Sequence, residues 1–504
     1  MTFSVEEASV ATLQAEMQAG RLTAEALVAA YIERIRAIDQ SGPTLRSVQE
    51  LNPDALAIAK ALDGERRAKG PRSPLHGIPI LLKDNLATAD GMETTAGALA
   101  LIGAKPRRDA FVVQRLRDAG AVILGKAALS EWANFKSNPS SSGWSARNGQ
   151  ARNPHVLDRT PGGSSSGSGI AVAASLCAVS VGTETDGSII SPAAANGVVG
   201  IKPTVGLTSR AGVIPISATQ DTIGPFGRTV ADAAMLLGAM TGVDPRDAAT
   251  AASLGNAHTD YSRFLDRDAL RGARIGVPRN GYFGYSARAD AAADAAIAVM
   301  KSLGAEIVDP VTIAHFDRDA LTAPERVVFY YEFKAGVNAY LADVAPGAAV
   351  KTLEEIIAFN VRHAARSLPF FDQQLLERAQ EKGALTEPEY LDALATCRRL
   401  GREPFDAAFE EYRLDAMIAP TSMPPWPIDL VNGDPTRGSS AKSAALAGYP
   451  LVSVPAGEIR GLPLAITFMG RAWSEPRLIA LAYAYEQATQ ARPVPRYQPT
   501  VASA

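Results

Sequence analysis

Cysteine is scarce in this chain, because its 504 residues include only two, Cys177 and Cys397. Two thiols so far apart provide no disulfide framework and, by themselves, no zinc site. This usage fits a reducing compartment. No export signal is visible, since Glu6 and Glu7 stand where a signal peptide has its apolar core. We therefore expect a cytoplasmic protein, or a periplasmic or secreted one from which a signal peptide has been removed.

An excess of one charge and a long apolar run are also missing. The 50 Lys and Arg residues nearly balance the 53 Asp and Glu residues, for a net charge of -3. Without a basic excess to meet phosphates, we expect no nucleic-acid partner. The longest stretch of small apolar residues, 169–182, is shorter than the roughly 20 residues that a membrane span needs, so we expect no membrane partner. The apolar share of 47% excludes wholesale disorder.

Helical and strand patterns alternate along the chain. Apolar residues three and four apart in residues 9–38 predict one or two helices, with a break near Gly20 and Thr23 as an N-cap. A short apolar run bounded by Gly and Pro, residues 75–82, predicts a buried strand that ends at Lys83. The same patterns predict further strands at 121–124, 274–277, 305–309, 416–420 and 451–455. They predict further helices at 53–67, 112–119, 170–177, 287–303 and 475–491.

This alternation is typical of an α/β fold around a central sheet. Residues 315–415 have a mostly helical pattern, which indicates a helical insertion. Because no internal repeat or low-complexity linker is visible, we expect one domain over residues 1–504 rather than three. Its parts are N-terminal helices, a catalytic core, a helical insertion and C-terminal core strands with a helix, at 1–70, 71–310, 310–405 and 406–504.

Two segments rich in glycine and serine occupy residues 161–169 and 182–192. Glycine lets a ligand approach the main chain, and successive N–H groups in such turns can bind an anion. An isolated loop of this kind is more often only a tight connection. A phosphate-binding loop would need a lysine directly after its last glycine, where Ser168 and Ile170 stand instead.

Two nucleophile motifs match in form. Residues 163–167 fit G-x-S-x-G with Ser165 at the centre, but that motif needs an acid and then a histidine downstream. Of the histidines at 76, 155, 258, 315 and 363, the last three follow no obvious strand. Residues 439–442 fit S-x-x-K without the companion motifs of that enzyme class, which indicates a chance match in a chain rich in serine.

Taken together and in order, these segments resemble the amidase-signature hydrolases over nearly the whole chain. The residues that carry the resemblance are Lys83-Asp84-Asn85, Leu124-Gly125-Lys126, Ser130-Glu131, Asn153-Pro154, both Gly/Ser segments, residues 200–204 and residues 448–457. Within that family, the chain is similar to the bacterial peptide amidases at residues 130–135, 143–147, 182–188 and 331–336.

The resemblance implies a Ser–cisSer–Lys triad. Ser188 would be the nucleophile, Ser164, which follows a cis peptide bond, the bridging residue, and Lys83 the general base. The backbone N–H groups implied for the oxyanion hole are those of Thr185, Asp186, Gly187 and Ser188. A serine hydroxyl needs a base, and a lysine is a base only when neutral. With its ordinary pKa near 10.4, about one lysine in 2,500 is neutral at pH 7, and burial lowers that pKa.

The chain departs from the common family pattern near the nucleophile. Glu184, Asp186 and Ile190 stand where the family usually has Asp, Gly and Arg. The missing arginine removes a charge, and Asp186 adds a carboxyl group beside the oxyanion site. Asp186 and Trp144 are therefore candidate residues of the substrate pocket, although Trp144 fits a core or lid position equally well.

The resemblance also implies the architecture and the activity. The fold would be an α/β/α sandwich with a mixed, twisted central sheet and a helical cap over about 310–405. The reaction would be amide hydrolysis through an acyl-enzyme, favouring C-terminal peptide amides. The alternatives are an aryl acylamidase or carbamate-cleaving enzyme, a glutamine-hydrolysing subunit of a tRNA amidotransferase, and a non-enzymatic binding protein. No cofactor or metal is implied, and we expect a monomer or homodimer that binds a small-molecule or peptide amide.

Overall fold

The structure is a computed structural model that describes residues 4–314, 316–435 and 438–502. His315, which was considered above as a partner for a nucleophile motif, lies outside these residues, as do the two ends of the predicted domain.

Helices occur along the whole described chain. They are α1 Val10–Gln18, α2 Ala24–Arg34, α3 Ala55–Lys69, α4 Phe111–Asp118, α5 Ser166–Ala173, α6 Ile190–Ala195, α7 Val230–Met240, α8 Arg279–Tyr282, α9 Ala287–Ser302, α10 Arg318–Asp343, α11 Leu353–Arg362, α12 Ala364–Ser367, α13 Gln374–Gln380, α14 Pro388–Tyr412, α15 Lys442–Ala447 and α16 Glu475–Thr489. The Thr23 hydroxyl caps α2 by accepting the Ala26 N–H, as the sequence predicts. The break near Gly20 separates α1 from α2, which confirms the second prediction for this region.

The strands form one large sheet and a small hairpin. They are β1 Val48–Leu51, β2 Pro79–Lys83, β3 Val122–Ala127, β4 Trp144–Ser145, β5 Gly149–Gln150, β6 Val179–Glu184, β7 Val199–Lys202, β8 Thr222–Gly227, β9 Arg274–Gly276, β10 Glu306–Val308, β11 Ala416–Pro420, β12 Leu451–Ile459 and β13 Leu462–Met469. The large sheet has eleven strands in the order β1-β3-β2-β6-β8-β7-β12-β13-β11-β9-β10, and β4 pairs with β5.

The sheet is mixed and covered by helices. Strand β2 runs parallel to its neighbours β3 and β6. Each pair of neighbours in the series β6, β8, β7, β12, β13 and β11 is antiparallel. At the end of the sheet, β9 runs parallel to both β11 and β10. Every residue of β2, β3, β6, β8, β11 and β13 is buried. A strand that is covered on both faces has a continuous apolar run instead of an alternating pattern. The α/β/α class predicted from the sequence is therefore confirmed.

Most predicted elements lie where the sequence placed them, and two kinds of difference have a physical reason. The helix expected at 170–177 is α5, which begins at Ser166 and ends at Ala173, and Ser175 has a positive φ of 53° that a helix cannot contain. Strands β1, β4, β5, β6, β7, β8 and β13 were not predicted. In β6 and β8 the reason is that Gly, Ser, Thr and Pro interrupt the apolar residues.

The helical segment is an insertion between two strands of the same sheet. Helices α10 to α14 follow β10, and the chain then returns as β11, which pairs with β9. The finer division of the chain into four parts stays a prediction. None of the described helices is both long and apolar enough to cross a membrane.

Candidate active site

Lys83 ends the buried strand β2, and its side chain is fully enclosed, with an exposed fraction of 0%. Its Nζ lies 2.8 Å from Ser164 Oγ, 2.8 Å from Thr183 Oγ1 and 3.2 Å from the Thr183 carbonyl oxygen. Thr183 lies on β6, which runs parallel to β2 beside it. The parallel pairing therefore brings the carboxyl ends of both strands, and their side chains, to the same edge of the sheet.

Lys83 is buried and has no contacting carboxylate among the described residues, so its ammonium group is unusually acidic. Desolvation disfavours the ammonium form and lowers the pKa of Lys83 to about 7, although the more distant charges of Asp221 and Glu184 oppose this shift. Asn85 also donates to Thr183 Oγ1, at 3.1 Å, so this oxygen is surrounded by donors. Lys83 is therefore a buried amine that is neutral in a large share of molecules near neutral pH.

Ser164 belongs to the first Gly/Ser segment and follows a cis peptide bond from Gly163. The Ser164 carbonyl accepts the N–H of Ser130 at 3.1 Å, and the N–H of Ser165 donates to the Ser188 carbonyl at 3.2 Å. Gly163 permits this close packing, because a Cβ atom there would lie 2.5 Å from Ser130 Oγ. The two Gly/Ser segments are thus held against each other beside Lys83.

Ser188 lies in the turn between β6 and α6. Gly187 precedes it with a φ of 90°, a conformation that favours glycine. One carboxylate oxygen of Glu184 accepts the N–H groups of Ile189 at 2.7 Å and Ile190 at 3.0 Å. Burial raises the pKa of Glu184, while the charge of Lys202 and these N–H groups oppose the shift. Glu184, noted in the sequence only as a departure from the family pattern, therefore anchors the turn that carries Ser188.

Ser188 lines a cavity of about 360 Å³, and the residue is 9% exposed. Within the described part of the chain its hydroxyl forms no hydrogen bond, and the N–H groups of Asp186 and Ser188 have no acceptor there. A hydroxyl group and two N–H donors of one turn are thus available to a bound molecule. The apolar part of the cavity wall is formed by Phe135, Ile216, Phe329, Leu375 and Trp426.

Asp186 also lines this cavity. It forms an ion pair with Lys442 that was not predicted from the sequence. Lys442 Nζ lies 2.5 Å from Asp186 Oδ2 and 2.5 Å from Glu325 Oε2. Burial disfavours the charge of Lys442, but the two carboxylates outweigh that effect and raise its pKa above the usual value. Lys442 is therefore protonated and cannot act as a base for Ser439. The S-x-x-K match at 439–442, which was the only sequence signal for Lys442, is thus not a catalytic motif.

The G-x-S-x-G match has a structural explanation as well. The Ser165 hydroxyl donates to the Thr183 carbonyl at 3.0 Å and is fully buried. His76 and His155, two of the described histidines, contact backbone carbonyl oxygens through Nε2, at 2.9 Å each. Ser165 thus holds the first Gly/Ser segment on β6 and has no histidine partner among the described residues.

Of the two positions considered for Trp144, the substrate pocket and the core or lid, the structure has the second. Trp144 is absent from the described lining of the 360 Å³ cavity and instead lines a neighbouring cavity of about 10 Å³. Its ring packs edge-on against Phe370 and Phe371, with centroids 5.7 and 6.2 Å away, and Lys136 Nζ lies 5.3 Å from its centre. Trp144 lies on β4, which forms a hairpin with β5, and its indole contacts Phe370 and Phe371 of the helical insertion instead of the cavity.

Replacing Trp144 by phenylalanine should therefore affect stability more than catalysis. We expect Trp144→Phe to lower the free energy of unfolding by about 1–3 kcal/mol, because a smaller ring leaves part of the aromatic cluster unpacked. Amide hydrolysis should stay within about threefold of wild type. Urea unfolding and steady-state kinetics on the same preparation check both numbers, and a large rise in KM at unchanged stability would return Trp144 to the substrate pocket.

Comparisons with known proteins identify the family of this chain. The Amidase family model matches residues 26–479. A probable amidase of Arabidopsis thaliana is 42% identical over 504 residues, which cover 98% of this chain and 93% of that protein. The crystal structure of the native peptide amidase from Stenotrophomonas maltophilia is 50% identical with a TM-score of 0.93, covering 98% of this chain and 99% of that chain.

A relative of another kind is also similar. One component of the glutamyl-tRNA(Gln) amidotransferase of Halorhodospira halophila is 34% identical over 510 residues, covering 96% of this chain and 98% of that protein. The similarity to this amidotransferase component extends over nearly the whole chain, as does the similarity to the amidases. Relatives with different names therefore share one fold. The family match and the structural likeness together establish that this chain belongs to the amidase signature family and is an amide-hydrolysing enzyme.

Proposed function

We propose that this enzyme hydrolyses the C-terminal amide of peptides, giving the peptide acid and ammonia, through a triad of Ser188, Ser164 and Lys83. The observation that carries the proposal is the 2.8 Å contact between Lys83 Nζ and Ser164 Oγ, both fully buried, beside the Ser188 turn. A lysine with a pKa of about 7 can accept a proton under conditions in which an ordinary lysine cannot.

Proton transfer runs from Ser188 through Ser164 to Lys83 in this mechanism. The two N–H bonds of a neutral Lys83 point to Thr183 Oγ1 and the Thr183 carbonyl, which leaves the nitrogen lone pair for the Ser164 hydroxyl proton. The Ser188 hydroxyl, which has no hydrogen bond among the described residues, would turn to Ser164 Oγ when substrate binds, so that Ser164 takes its proton as Ser188 Oγ attacks the amide carbon. Asn85 and Thr183 are thus positioning residues, because they direct the lone pair of Lys83.

The negative charge formed on the carbonyl oxygen is held by backbone N–H groups of the turn 185–188. Those of Asp186 and Ser188 have no other acceptor in the described chain, so they need not give up a hydrogen bond when the oxyanion forms. When the tetrahedral intermediate collapses, the C–N bond breaks, ammonia leaves with a proton returned through Ser164, and the acyl group stays on Ser188. Water, deprotonated by the same relay, releases the acid and restores the serine.

Peptide amides are the proposed substrates for two reasons. The Stenotrophomonas maltophilia structure to which this chain is 50% identical is that of a peptide amidase. In addition, a cavity of about 360 Å³ with apolar and charged walls can enclose the last residues of a peptide. The likeness to a component of an amidotransferase keeps glutamine as a second candidate substrate, and anilides remain the nearest alternative acyl donors.

A panel of three amides tests the proposal. We expect ammonia release from a dipeptide amide at least about tenfold faster than from free glutamine, and little aniline release from an acylated aniline. Each substrate is measured with the wild type and with Ser188→Ala, so that a contaminating amidase is recognised by activity that survives in the variant.

The other outcomes have definite meanings. Turnover of the anilide alone would retain the triad and replace the substrate assignment. Turnover of glutamine alone would favour the amidotransferase alternative, which co-purification with a partner protein would then support. Ammonia release from the dipeptide amide that is equal in the Ser188→Ala enzyme would contradict the proposed nucleophile.

A further inference from the structure

A buried chain of charges joins the turn of Ser188 to the helical insertion. Lys442, the first residue of α15, contacts Asp186 of the turn and Glu325 of α10, each at 2.5 Å. The exposed fractions of the Lys442 and Glu325 side chains are 5% and 3%, and that of Asp186 is 21%. Gln220 Nε2 donates to the other oxygen of Glu325 at 3.0 Å. The Lys442 ammonium therefore bridges two carboxylates from distant parts of the sequence.

The position of Asp186 makes its charge important for the reaction. Asp186 stands two residues before Ser188, and its own N–H is one of the donors proposed to hold the oxyanion. An uncompensated carboxylate in this place would repel the negative charge that develops on the substrate oxygen, and the repulsion would be stronger in a partly buried site than in bulk water.

Lys442 compensates that charge directly. Burial by itself raises the pKa of Asp186, but the ion pair and hydrogen bond with Lys442 outweigh it and lower the pKa below the usual value. Arg318 and Lys202 contribute weaker positive fields. The Asp186 carboxylate is thus ionised. It is paired with the Lys442 ammonium and not with the backbone N–H groups that are proposed to hold the oxyanion.

We propose that Lys442 is a positioning residue for amide hydrolysis, which neutralises Asp186 and holds its carboxylate away from the oxyanion donors of the turn. The proposal rests on the oxyanion site of the proposed function. Glu325, held by Gln220, fixes the ammonium from the opposite side. The geometry of the turn consequently depends on α10, so the helical insertion contributes to the chemistry although it supplies no member of the triad.

Four variants of this bridge test the proposal, each measured on whichever amide of the panel the wild type hydrolyses. We expect Lys442→Met to lower kcat about 30-fold or more, while KM changes less than about threefold, because the transition-state charge is affected more than the bound substrate. Lys442→Arg should retain at least about a third of wild-type kcat, since it keeps the positive charge. Asp186→Asn in the Lys442→Met background should recover kcat at least about fivefold over Lys442→Met alone, because it removes the uncompensated carboxylate.

The fourth variant keeps the proposal testable if Lys442→Met folds poorly. Glu325→Gln leaves the Asp186–Lys442 pair in place, so it should keep at least about a third of wild-type kcat, and a folded Glu325→Gln enzyme that loses kcat about 30-fold would overturn the proposal. Thermal unfolding of all four proteins shows which are folded. Equal kcat for Lys442→Met with and without Asp186→Asn would overturn the proposal, as would a Lys442→Met enzyme with wild-type kcat. A loss confined to KM would overturn it too, since it would indicate substrate binding instead. Failure of the dipeptide amide in the panel changes the substrate assignment and leaves these comparisons valid.

Discussion

Ser188→Ala is expected to lower kcat/KM for amide hydrolysis by about 10⁴-fold or more, because no acyl-enzyme can form without the nucleophilic oxygen. The remaining groups of the site would still bind and polarise the substrate, so a small residual rate over water is expected. Ammonia release measures the loss. Mass spectrometry of the enzyme, quenched during turnover of a slowly hydrolysed amide, should find the acyl group on the peptide that contains Ser188 in the wild type.

Ser439→Ala is the matched control for this prediction. Ser439 lines the same cavity and begins the S-x-x-K match, but its neighbour Lys442 is paired with carboxylates and cannot serve as a base. We expect less than about a fivefold change in kcat/KM for this variant. An acyl group found on Ser439 or Ser164, or a Ser188→Ala enzyme with more than a tenth of wild-type activity, would contradict the proposed nucleophile.

Lys83→Met is expected to lower kcat by about 10³-fold or more, since it replaces the base by an apolar side chain of similar length. The wild-type enzyme should in addition show a rise in kcat/KM with increasing pH, with an apparent pKa of about 7. The sign follows from the role of the group: below pH 7 Lys83 carries the extra proton and cannot accept one, and above pH 7 it is neutral. A pH–rate profile between pH 5 and 9 measures this limb.

Lys126→Met provides the matched control for a buried lysine. Lys126 is fully buried on β3, next to β2, and its Nζ donates to the Leu86 carbonyl at 2.6 Å and to Thr94 Oγ1 at 2.8 Å. Burial lowers its pKa to about 8, as for Lys83, but it does not line the cavity of Ser188. We expect Lys126→Met to lower stability while kcat stays within about tenfold of wild type. Similar losses of kcat in both variants would mean that Lys83 acts through the fold alone.

The sequence predicts several elements from their apolar composition alone, although the equally apolar strand β13 was not predicted. Strand β11, β2 up to Lys83 and the first half of β3 are continuous apolar runs, so their prediction needed no tertiary information. Strand β6 could not be recognised in this way, because its glycine, serine and threonine residues serve close packing with the neighbouring segments. At Gly182, for example, a Cβ atom would lie 2.6 Å from Phe226.

The candidate site was accessible from the sequence only through the family resemblance. Lys83 and Ser164 are 81 residues apart, and Lys442 and Glu325 are 117 residues apart. A local sequence pattern gives no information on contacts between residues so far apart. A lysine that follows a strand therefore has the same local sequence whether it is a buried base or a surface charge. The bridge of Lys442 was missed for the same reason, and because the family pattern has no carboxylate at Asp186 that would call for a partner.

The order of the strands has a consequence for the timing of activity during synthesis. Strands β12 and β13, at Leu451–Ile459 and Leu462–Met469, pair in the middle of the sheet between β7 and β11. A ribosome-bound chain that has exposed only its first 300 residues therefore carries Lys83, Ser164 and Ser188 on an unfinished sheet with an open edge at β7. Such an edge is prone to pairing with other chains. The sheet beside the site is therefore complete only after residues 451–469 have emerged, and we expect no activity from a chain that ends before them.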